Sequence, residues 1–390
     1  MTPSDRVLKN AITGSGLSSA AWGRVQAGLR DRAFFSARVE EARVLHALRN
    51  QVAAITDGSL SQSEMRRDMR TLLGRLGYDP GEDRGTIKDL LTKSRLDVIT
   101  DVNKRQARGW AQHLEATSEG ALLAFPAYEL VRVQPRKAPR DWTARWMDNG
   151  GRIFEGRMIA LKTDPIWSAI STFGTPYPPF DYNSGMGVRD VGRRECIRLG
   201  VIEDGDQEQK PPEPDFNGSL SADVPFKGNT PEYQRLVDTF GDQITHDGGR
   251  IIWRGNLIRE AFEKGSDFEI RLGKPTAALK AKLPDDLSKK LKNKSFTVTN
   301  DWLDTPRSGG VDHRDHFEPR EKDPRNIPLT SGDLELIPSL WRSPERVSRG
   351  GDGNSVVCEI ETIDGGVVKM VVSIRDVPRI KTLYKVKIPD

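Results

Sequence analysis

The C-terminal part of the chain carries side chains that could transfer protons and hold a phosphate group. His313 and His316 stand close together in the sequence, and histidine is the side chain that titrates nearest to neutral pH. Cleavage of RNA without a metal needs a base for the 2′-hydroxyl, an acid for the leaving oxygen and cations for the developing charge. Either histidine could be the base, and the sequence does not choose between them.

The other groups for this chemistry follow at the end of the chain. The cations that could hold the phosphate are Lys369, Arg375, Lys381 and Lys385. Thr382 and Tyr384 could donate hydrogen bonds, and their spacing places both on one face of a strand. By the same alternation Lys369 shares a face with Val367 and Val371, which is usually the buried face. We therefore expect Lys369 at a sheet edge or in a cleft.

The histidine segment has two other interpretations. By composition, 309–319 is a charged surface loop, in which histidines commonly have no catalytic role. Its possible metal ligands are Asp312, His313, Asp315, His316 and Glu318. The His-Glu-x-x-His spacing of zinc helices is absent, so we expect neither a metal nor another cofactor. The sequence contains no P-loop and no Gly-x-Ser-x-Gly, so nucleotide hydrolysis and serine hydrolase chemistry have no support.

A β-sheet is needed to position these groups, and the C-terminal sequence predicts one. The β-branched runs are 355–363, 367–374 and 382–387. Asp364-Gly-Gly between the first two is typical of a hairpin, and a turn at Pro378 precedes the third. A leucine-rich helix over 334–340 comes before them. We therefore expect an α+β domain with an antiparallel sheet over 296–390.

The first 125 residues predict a helical region. Apolar residues recur at steps of three and four: Phe35, Val39, Ala42, Leu45, Leu48, Val52 and Ile55. A capping box at Ser61–Glu64 begins a second helix, which ends at Gly77. A third helix is expected to open near Thr86, and it or a successor continues to Trp110.

The stretch 126–205 differs in composition from the first 125 residues, because it is rich in proline, glycine and aromatic residues. Its candidate nucleic-acid contacts are Arg136, Lys137 and Arg140. Tryptophans follow these cations, at Trp142, Trp146 and Trp167. The alternative is a small core centred on the tryptophans, with a solvated rim of cations.

Composition bounds the remaining organisation of the chain. The polar, proline-rich stretch 206–230 predicts a linker, and 231–295 predicts a helical and basic connecting region. The chain has 390 residues and a net charge of +4, which excludes a wholesale coat for nucleic acid. No apolar run approaches the ~20 residues of a membrane span, and we expect no Sec export. With only two cysteines, we expect a multidomain α+β protein of the reducing cytosol, or of a particle assembled there.

The middle of the chain resembles a known family. The shared order is Pro126-x-Tyr128, Arg132, Pro139-Arg140-x-Trp142, Gly150-Gly151, Asp164-Pro-x-Trp167 and Tyr177-Pro-Pro-Phe-Asp-Tyr-Asn-Ser-Gly-Met186. It is similar to phage minor head proteins of the head-morphogenesis class, typified by the Mu head protein F. The resemblance covers about 20–205, and the chain lacks the cysteine-bearing stretch that many members have after Pro-Pro. It implies a few copies inside the phage head near the portal, assembled in the host cytoplasm, which assist head assembly or the packaging or ejection of DNA. The implied partners are portal and capsid proteins and phage DNA.

The C-terminal part resembles a second group. Asp312-His313-x-x-His316, then Pro338, a hairpin with Lys369 and a last strand with Tyr384 look like phage-borne nuclease domains of the Barnase–EndoU–colicin–RelE fold. Such domains are often fused behind minor head proteins, and the resemblance implies host RNA as a substrate. The chain is therefore expected to be a minor capsid protein with a metal-independent ribonuclease domain. The alternative is a purely structural protein whose C-terminal domain is a non-catalytic binding module.

Overall fold

The chain divides into two compact units whose segments interleave along the sequence. The computed structural model describes residues 2–25, 27–206, 221–223, 231–247, 250–304, 313–319 and 325–388. The first unit consists of 1–10, 17–37 and 49–216, and the second of 11–16, 38–48 and 217–390. The whole of 126–205 thus belongs to the first unit. Most of the predicted linker 206–230 lies outside the described residues.

Helices and antiparallel strand pairs make up both units. The helices of the described residues are α1 (Pro3–Lys9), α2 (Ser19–Trp22), α3 (Ala27–Asp31), α4 (Ala42–Asp57), α5 (Gln62–Arg75), α6 (Lys93–Ala116), α7 (Glu119–Ala124), α8 (Trp142–Asp148), α9 (Ile166–Ala169), α10 (Arg193–Leu199), α11 (Pro231–Phe240), α12 (Arg254–Lys264), α13 (Ala277–Lys282), α14 (Asp285–Leu291), α15 (Asp301–Asp304) and α16 (Ile337–Arg342). The strands are β1 (Ala11–Ile12), β2 (Ala33–Phe34), β3 (Ala127–Arg132), β4 (Ile153–Phe154), β5 (Arg157–Leu161), β6 (Met186–Val191), β7 (Ser221–Asp223), β8 (Ile244–Asp247), β9 (Arg250–Trp253), β10 (Glu269–Gly273), β11 (Phe296–Thr299), β12 (Asn326–Ile327), β13 (Arg346–Arg349), β14 (Ser355–Glu361), β15 (Gly366–Ser373) and β16 (Arg379–Lys387). Short 3-10 helices lie at Gly81–Asp83, Gly241–Gln243, His313–Phe317 and Ser331–Leu336.

This content confirms the predicted multidomain α+β fold, with a helical N-terminal region and a C-terminal antiparallel sheet. Among the described residues, no helix combines the length and the apolar composition that a bilayer crossing requires. The predicted absence of a membrane-spanning helix therefore holds for this part of the chain.

Helix α4 begins later than the apolar spacing predicts. The pattern placed Phe35 and Val39 on its face, but the helix begins at Ala42. Arg38 has a φ of 60°, in the left-handed region, which a right-handed helix does not include. Phe35 instead stacks on Trp22, with ring centroids 4.1 Å apart. The spacing of apolar residues alone thus extended this helix too far toward the N-terminus.

The next two helices are capped by their own side chains. The Ser61 hydroxyl accepts a hydrogen bond from the Glu64 N–H, and the Glu64 carboxylate accepts one from the Ser61 N–H, as the capping box predicts. The prediction that a helix begins near Thr86 is wrong. Thr86 begins a series of turns, in which the Asp89 carboxylate accepts hydrogen bonds from backbone N–H groups. Helix α6 follows its N-cap, Thr92, and is the successor that the sequence allowed.

The tryptophans of 126–205 form the core of a four-stranded sheet with the order β4–β5–β3–β6. The side chains of Trp146 and Trp167 have no exposed surface, and their rings lie edge to face, 5.3 Å between centroids. Their indole N–H groups donate to the carbonyls of Arg152 and Leu161, at 2.8 and 2.7 Å. The alternative of a Trp-centred core therefore describes this stretch.

Helix α6 packs closely against the Tyr177-Pro-Pro segment of the same unit. A Cβ built on Gly109 would lie 1.9 Å from the carbonyl oxygen of Pro178 and 3.2 Å from the ring of Tyr177. Tyr177 is buried, and its hydroxyl donates to Asp31 at 3.0 Å. The missing side chain of Gly109 thus allows the helix and this segment to meet.

The second unit is built around a five-stranded antiparallel sheet with the order β12–β16–β15–β14–β13. The hairpin predicted at Asp364-Gly-Gly joins β14 to β15. One face of the sheet packs into the main core of the unit, together with buried leucines of α13 and α14. The lysines of 274–294 are exposed or half-buried around those leucines, so this charge run is a solvated helix face.

Gly109→Ala is expected to destabilise the first unit. The new Cβ would clash with the backbone at Pro178, and such overpacking costs roughly 1–3 kcal/mol. Gly74→Ala is the matched control, because Gly74 also lies in a helix, and a Cβ there would meet nothing within 4 Å. It should stabilise the protein by about 0.5–1 kcal/mol. Chemical unfolding of both variants measures the difference, and equal stabilities would contradict the close contact.

Candidate functional site

The C-terminal sheet has one buried face and one half-open face. Along β15, Val368, Met370 and Val372 are fully buried in the core, whereas Lys369 and Val371 on the opposite face are partly exposed. The face that Lys369 shares with Val367 and Val371 is thus buried only in part: Val367 is 3% exposed, as expected, whereas Lys369 and Val371 are more exposed. Strand β15 also lies between β14 and β16, so Lys369 is not at a sheet edge.

Lys369 lies in a row of polar side chains that crosses three strands. It pairs in register with Glu359 of β14 and with Tyr384 of β16. The Lys369 ammonium donates to Glu359 at 2.9 Å, and the Arg346 guanidinium lies 3.2 Å from the second carboxylate oxygen. Directly opposed side chains in antiparallel strands have Cβ atoms about 5 Å apart, so the lysine and the tyrosine are neighbours.

His316 lies against the same face, at its β16 end. The His316 Nε2 atom is 3.3 Å from the Thr382 hydroxyl, and its ring stacks on Tyr384 with centroids 5.9 Å apart. The 3-10 helix His313–Phe317 holds the imidazole there. It is anchored by Phe317, which stacks on Phe262 at 4.4 Å, and by the His316 carbonyl, which accepts the Leu329 N–H at 2.8 Å.

His313 lies beside the rings of both His316 and Trp302. The two imidazole centroids are 6.2 Å apart, and the ring of His313 is 6.1 Å from that of Trp302. His313 is 4% exposed and His316 9%. The interpretation of this segment as a surface loop, which rested on composition, is therefore wrong for these two side chains. Asp312, a possible metal ligand, lies outside the described residues. The geometry favours His316 as the histidine that meets the strand residues.

Thr382 and Tyr384 share a face, as predicted, but the neighbouring cations of β16 point the other way. Lys385 is 4% exposed and binds Asp333 at 3.2 Å and Asp364 at 2.7 Å. Burial alone would raise the pKa of Asp364, but the Lys385 charge and hydrogen bonds from Thr362 and Gly366 lower it. The proposed phosphate-binding role of Lys385 is therefore replaced by a structural ion pair.

The other predicted cations do not join the row either. The ammonium of Lys381 is 2.9 Å from Asp352, and the hydrogen bonds from Ser355 and Lys381 lower the pKa of that carboxyl. Arg375 is exposed in the turn before β16, and its carbonyl accepts a hydrogen bond from Lys294 at 2.8 Å. Lys369 is thus the predicted phosphate-holding cation that the register places beside Tyr384.

Arg136, Lys137 and Arg140 belong to the first unit and not to the histidine site. The Arg140 guanidinium donates to the Tyr182 carbonyl at 3.0 Å and lies 3.5 Å from Asp181. Arg136 donates to the Gln134 side chain at 3.0 Å, and Lys137 is exposed. These cations surround the Trp-centred core, as a solvated rim would.

The row on the open face can perform acid–base chemistry beside a bound anion. Glu359 is a member that the sequence analysis missed, although counting back from the predicted hairpin pairs it with Lys369. Burial raises the pKa of Cys358, on the opposite face, to about 12, so this thiol is not a nucleophile at neutral pH. Within the described ranges, no group of three or more histidine, cysteine, aspartate or glutamate side chains is arranged to hold a metal ion.

Lys385→Met is expected to destabilise the second unit strongly. The change leaves Asp333, whose side chain is 1% exposed, as a buried carboxylate without its cation, which costs about 3–5 kcal/mol. Lys387→Met is the matched control, because Lys387 lies two residues further along the same strand and is exposed. Its stability should change by about 0.5 kcal/mol or less. Denaturant titration compares them, and a mild effect of Lys385→Met would contradict a structural ion pair.

No comparison with known proteins identifies a family for this chain. A scan against protein-family models finds no match for it, and neither a search of curated proteins nor a search of solved structures finds one. What the chain does is therefore inferred from the contacts of its own side chains.

Proposed function

We propose that this chain is a phage minor head protein whose C-terminal domain cleaves RNA without a metal. The nuclease part is carried by one observation: the His316 Nε2 atom lies 3.3 Å from the Thr382 hydroxyl, on the sheet face that also presents Tyr384 and Lys369. A proton acceptor, hydroxyl donors and a cation on one face are the groups that this reaction needs.

The proposed reaction moves two protons and exchanges one P–O bond. His316 takes the proton of the 2′-hydroxyl, and that oxygen attacks the adjacent phosphorus. The bond from phosphorus to the 5′ oxygen breaks, and this oxygen leaves with a proton taken from water, because the His313 ring is buried against Trp302. The products are a 2′,3′-cyclic phosphate and a 5′-hydroxyl. Lys369 and Tyr384 stabilise the charge that builds on the phosphate oxygens.

Glu359 has a positioning role in this proposal. It holds the Lys369 ammonium at 2.9 Å and receives a second cation, Arg346, at 3.2 Å. The lysine side chain is long and flexible, so this contact fixes where its charge lies on the sheet face. A preorganised cation stabilises a developing charge better than one that must first be ordered.

The head-protein part is supported by the stretch that carries the first resemblance. Its tryptophans form a single core, and its Tyr177-Pro-Pro segment contacts Gly109 of α6. The tryptophans and the Tyr177-Pro-Pro segment that carry the resemblance are thus also residues that build the core of this unit. In this proposal the chain lies inside the phage head near the portal, contacts portal and capsid proteins and phage DNA, and meets host RNA as a substrate.

A second candidate function has its own observation. His313 and His316 are 4% and 9% exposed, and Lys369 is already paired with Glu359. Buried imidazole rings and a lysine that is already paired with a carboxylate are also expected in a domain that is packed for stability and has no catalytic activity. In this alternative the C-terminal domain is a binding module of a purely structural capsid protein.

The nuclease proposal predicts that the full chain cleaves single-stranded RNA in the presence of EDTA. The product should end in a 2′,3′-cyclic phosphate, and RNA with 2′-O-methyl groups should stay intact, because it lacks the attacking hydroxyl. His316→Ala should slow cleavage by about 10²–10⁴-fold, the usual contribution of a general base. Lys369→Met should slow it about a hundredfold. Gel electrophoresis of labelled RNA gives the rates.

Lys292→Ala is the control for these variants, because Lys292 is an exposed lysine of the same unit that lies outside the row. It should cleave at the wild-type rate. Circular dichroism must first show that each variant is folded. Intact RNA after incubation with the folded wild-type chain would refute the nuclease part and favour the binding module.

The head-protein proposal predicts that the chain is a component of purified phage particles, in a few copies each. Quantitative mass spectrometry of particles gives the stoichiometry relative to the portal protein. Protease treatment of intact heads should leave the chain uncut, because it lies inside them. Its absence from particles would refute this part without bearing on RNA cleavage.

A further inference from the structure

Strand β6 leaves one side of its backbone without a strand partner. It is the last strand of its sheet and pairs with β3. The Val133 N–H donates to the Gly185 carbonyl at 2.9 Å, which fixes the alternation of bonded pairs along these strands. The N–H and C=O groups of Met186, Val188 and Asp190 consequently point away from β3, and of these the Met186 N–H donates to the Ser184 hydroxyl oxygen at 3.2 Å. Such an edge can accept a further strand.

A groove of about 500 Å³ runs along this edge, within the first unit. Residues of helix α6 and of the Pro178-Pro179 segment line it, together with residues of β6. Val133, Met186 and Val188 give it an apolar lining, and Val133 is 59% exposed. Neighbouring strands lie about 4.8 Å apart, so an added strand would occupy the space beside β6. The volume falls in the range of ordinary ligand sites.

The charges around the groove are mostly positive. Arg105 and Arg108 are exposed on α6, and neither makes an ion pair with a carboxylate among the described residues. Arg136 borders Gly185, and its buried Nε has no hydrogen-bond partner there. Of the two carboxylates in the lining, Asp181 is engaged by Arg145 at 3.1 Å. The other is Asp101. An acidic ligand would complement these cations.

We propose that this groove binds an acidic, extended peptide segment of another protein, which adds as a strand to the open edge of β6. Main-chain hydrogen bonds to Val188, to Asp190 and to the Met186 carbonyl would supply affinity, and carboxylates facing Arg105 and Arg108 would supply specificity. Nucleic acid fits less well, because the described lining contains no aromatic ring on which a base could stack.

The test uses the full chain and a fluorescein-labelled hexapeptide of alternating glutamate and valine. Fluorescence anisotropy should show saturable binding, and a peptide of alternating lysine and valine should not bind. The double variant Arg105→Glu with Arg108→Glu should weaken binding at least about tenfold, because it reverses the charge at these two positions. Arg67→Glu with Arg70→Glu is the matched control. These two arginines have the same spacing on the exposed surface of α5, and the control should bind normally.

Hydrogen exchange separates strand addition from binding by charge alone. The bound peptide should slow amide exchange at Val188 and Asp190, because their N–H groups become donors to the added strand. Val188→Pro removes one outward N–H and should weaken binding, whereas Val188→Thr keeps it and should not. Failure of the acidic peptide to bind would overturn the proposal. Binding without slower exchange at these amides, or binding of oligodeoxythymidylate in its place, would overturn it as well.

Discussion

The two-residue period of strand β16 governs what the C-terminal domain can do. Side chains of one strand alternate between the two faces of a sheet, so Leu383 and Lys385 enter the core side while Thr382 and Tyr384 meet the histidine segment. One strand thus carries a structural ion pair and the candidate chemistry. A shift of its register by one residue would exchange the two sets and destroy both.

How much of this could be predicted differs from feature to feature. The hairpin, the shared face of Thr382 and Tyr384 and the capping box at Ser61 follow from local rules, and each is present. The contact between His316 and Thr382 joins residues 66 positions apart, and nothing in the local sequence encodes it. The structural role of Lys385 depends on its ion pair with Asp333. In the sequence, nothing distinguishes Asp333 from the carboxylates that lie on the surface.

The errors in the helical region have the same origin. The spacing of apolar residues indicates which side chains are buried, not in which element they lie. Phe35 is covered by stacking on Trp22 and is not part of a helix. A single residue with positive φ, Arg38, was enough to end the pattern. Composition likewise suggested a surface loop around His313, but the His313 ring is buried. Charged neighbours in the sequence do not determine which side chain of a segment packs into the core. Local propensity therefore described the capped elements well and the connections poorly.

The interleaving of the two units along the chain bears on how the protein folds during synthesis. Segments 11–16 and 38–48 belong to the second unit, yet they leave the ribosome long before the rest of it. Gly14 bonds Gln243, which is 229 residues away, and His46 bonds Gly332, which is 286 residues away. At about 5–20 residues per second, these early segments wait on the order of tens of seconds for their partners. The emerging chain must keep them soluble for that interval, so a chaperone or a slow translation step would have its largest effect there.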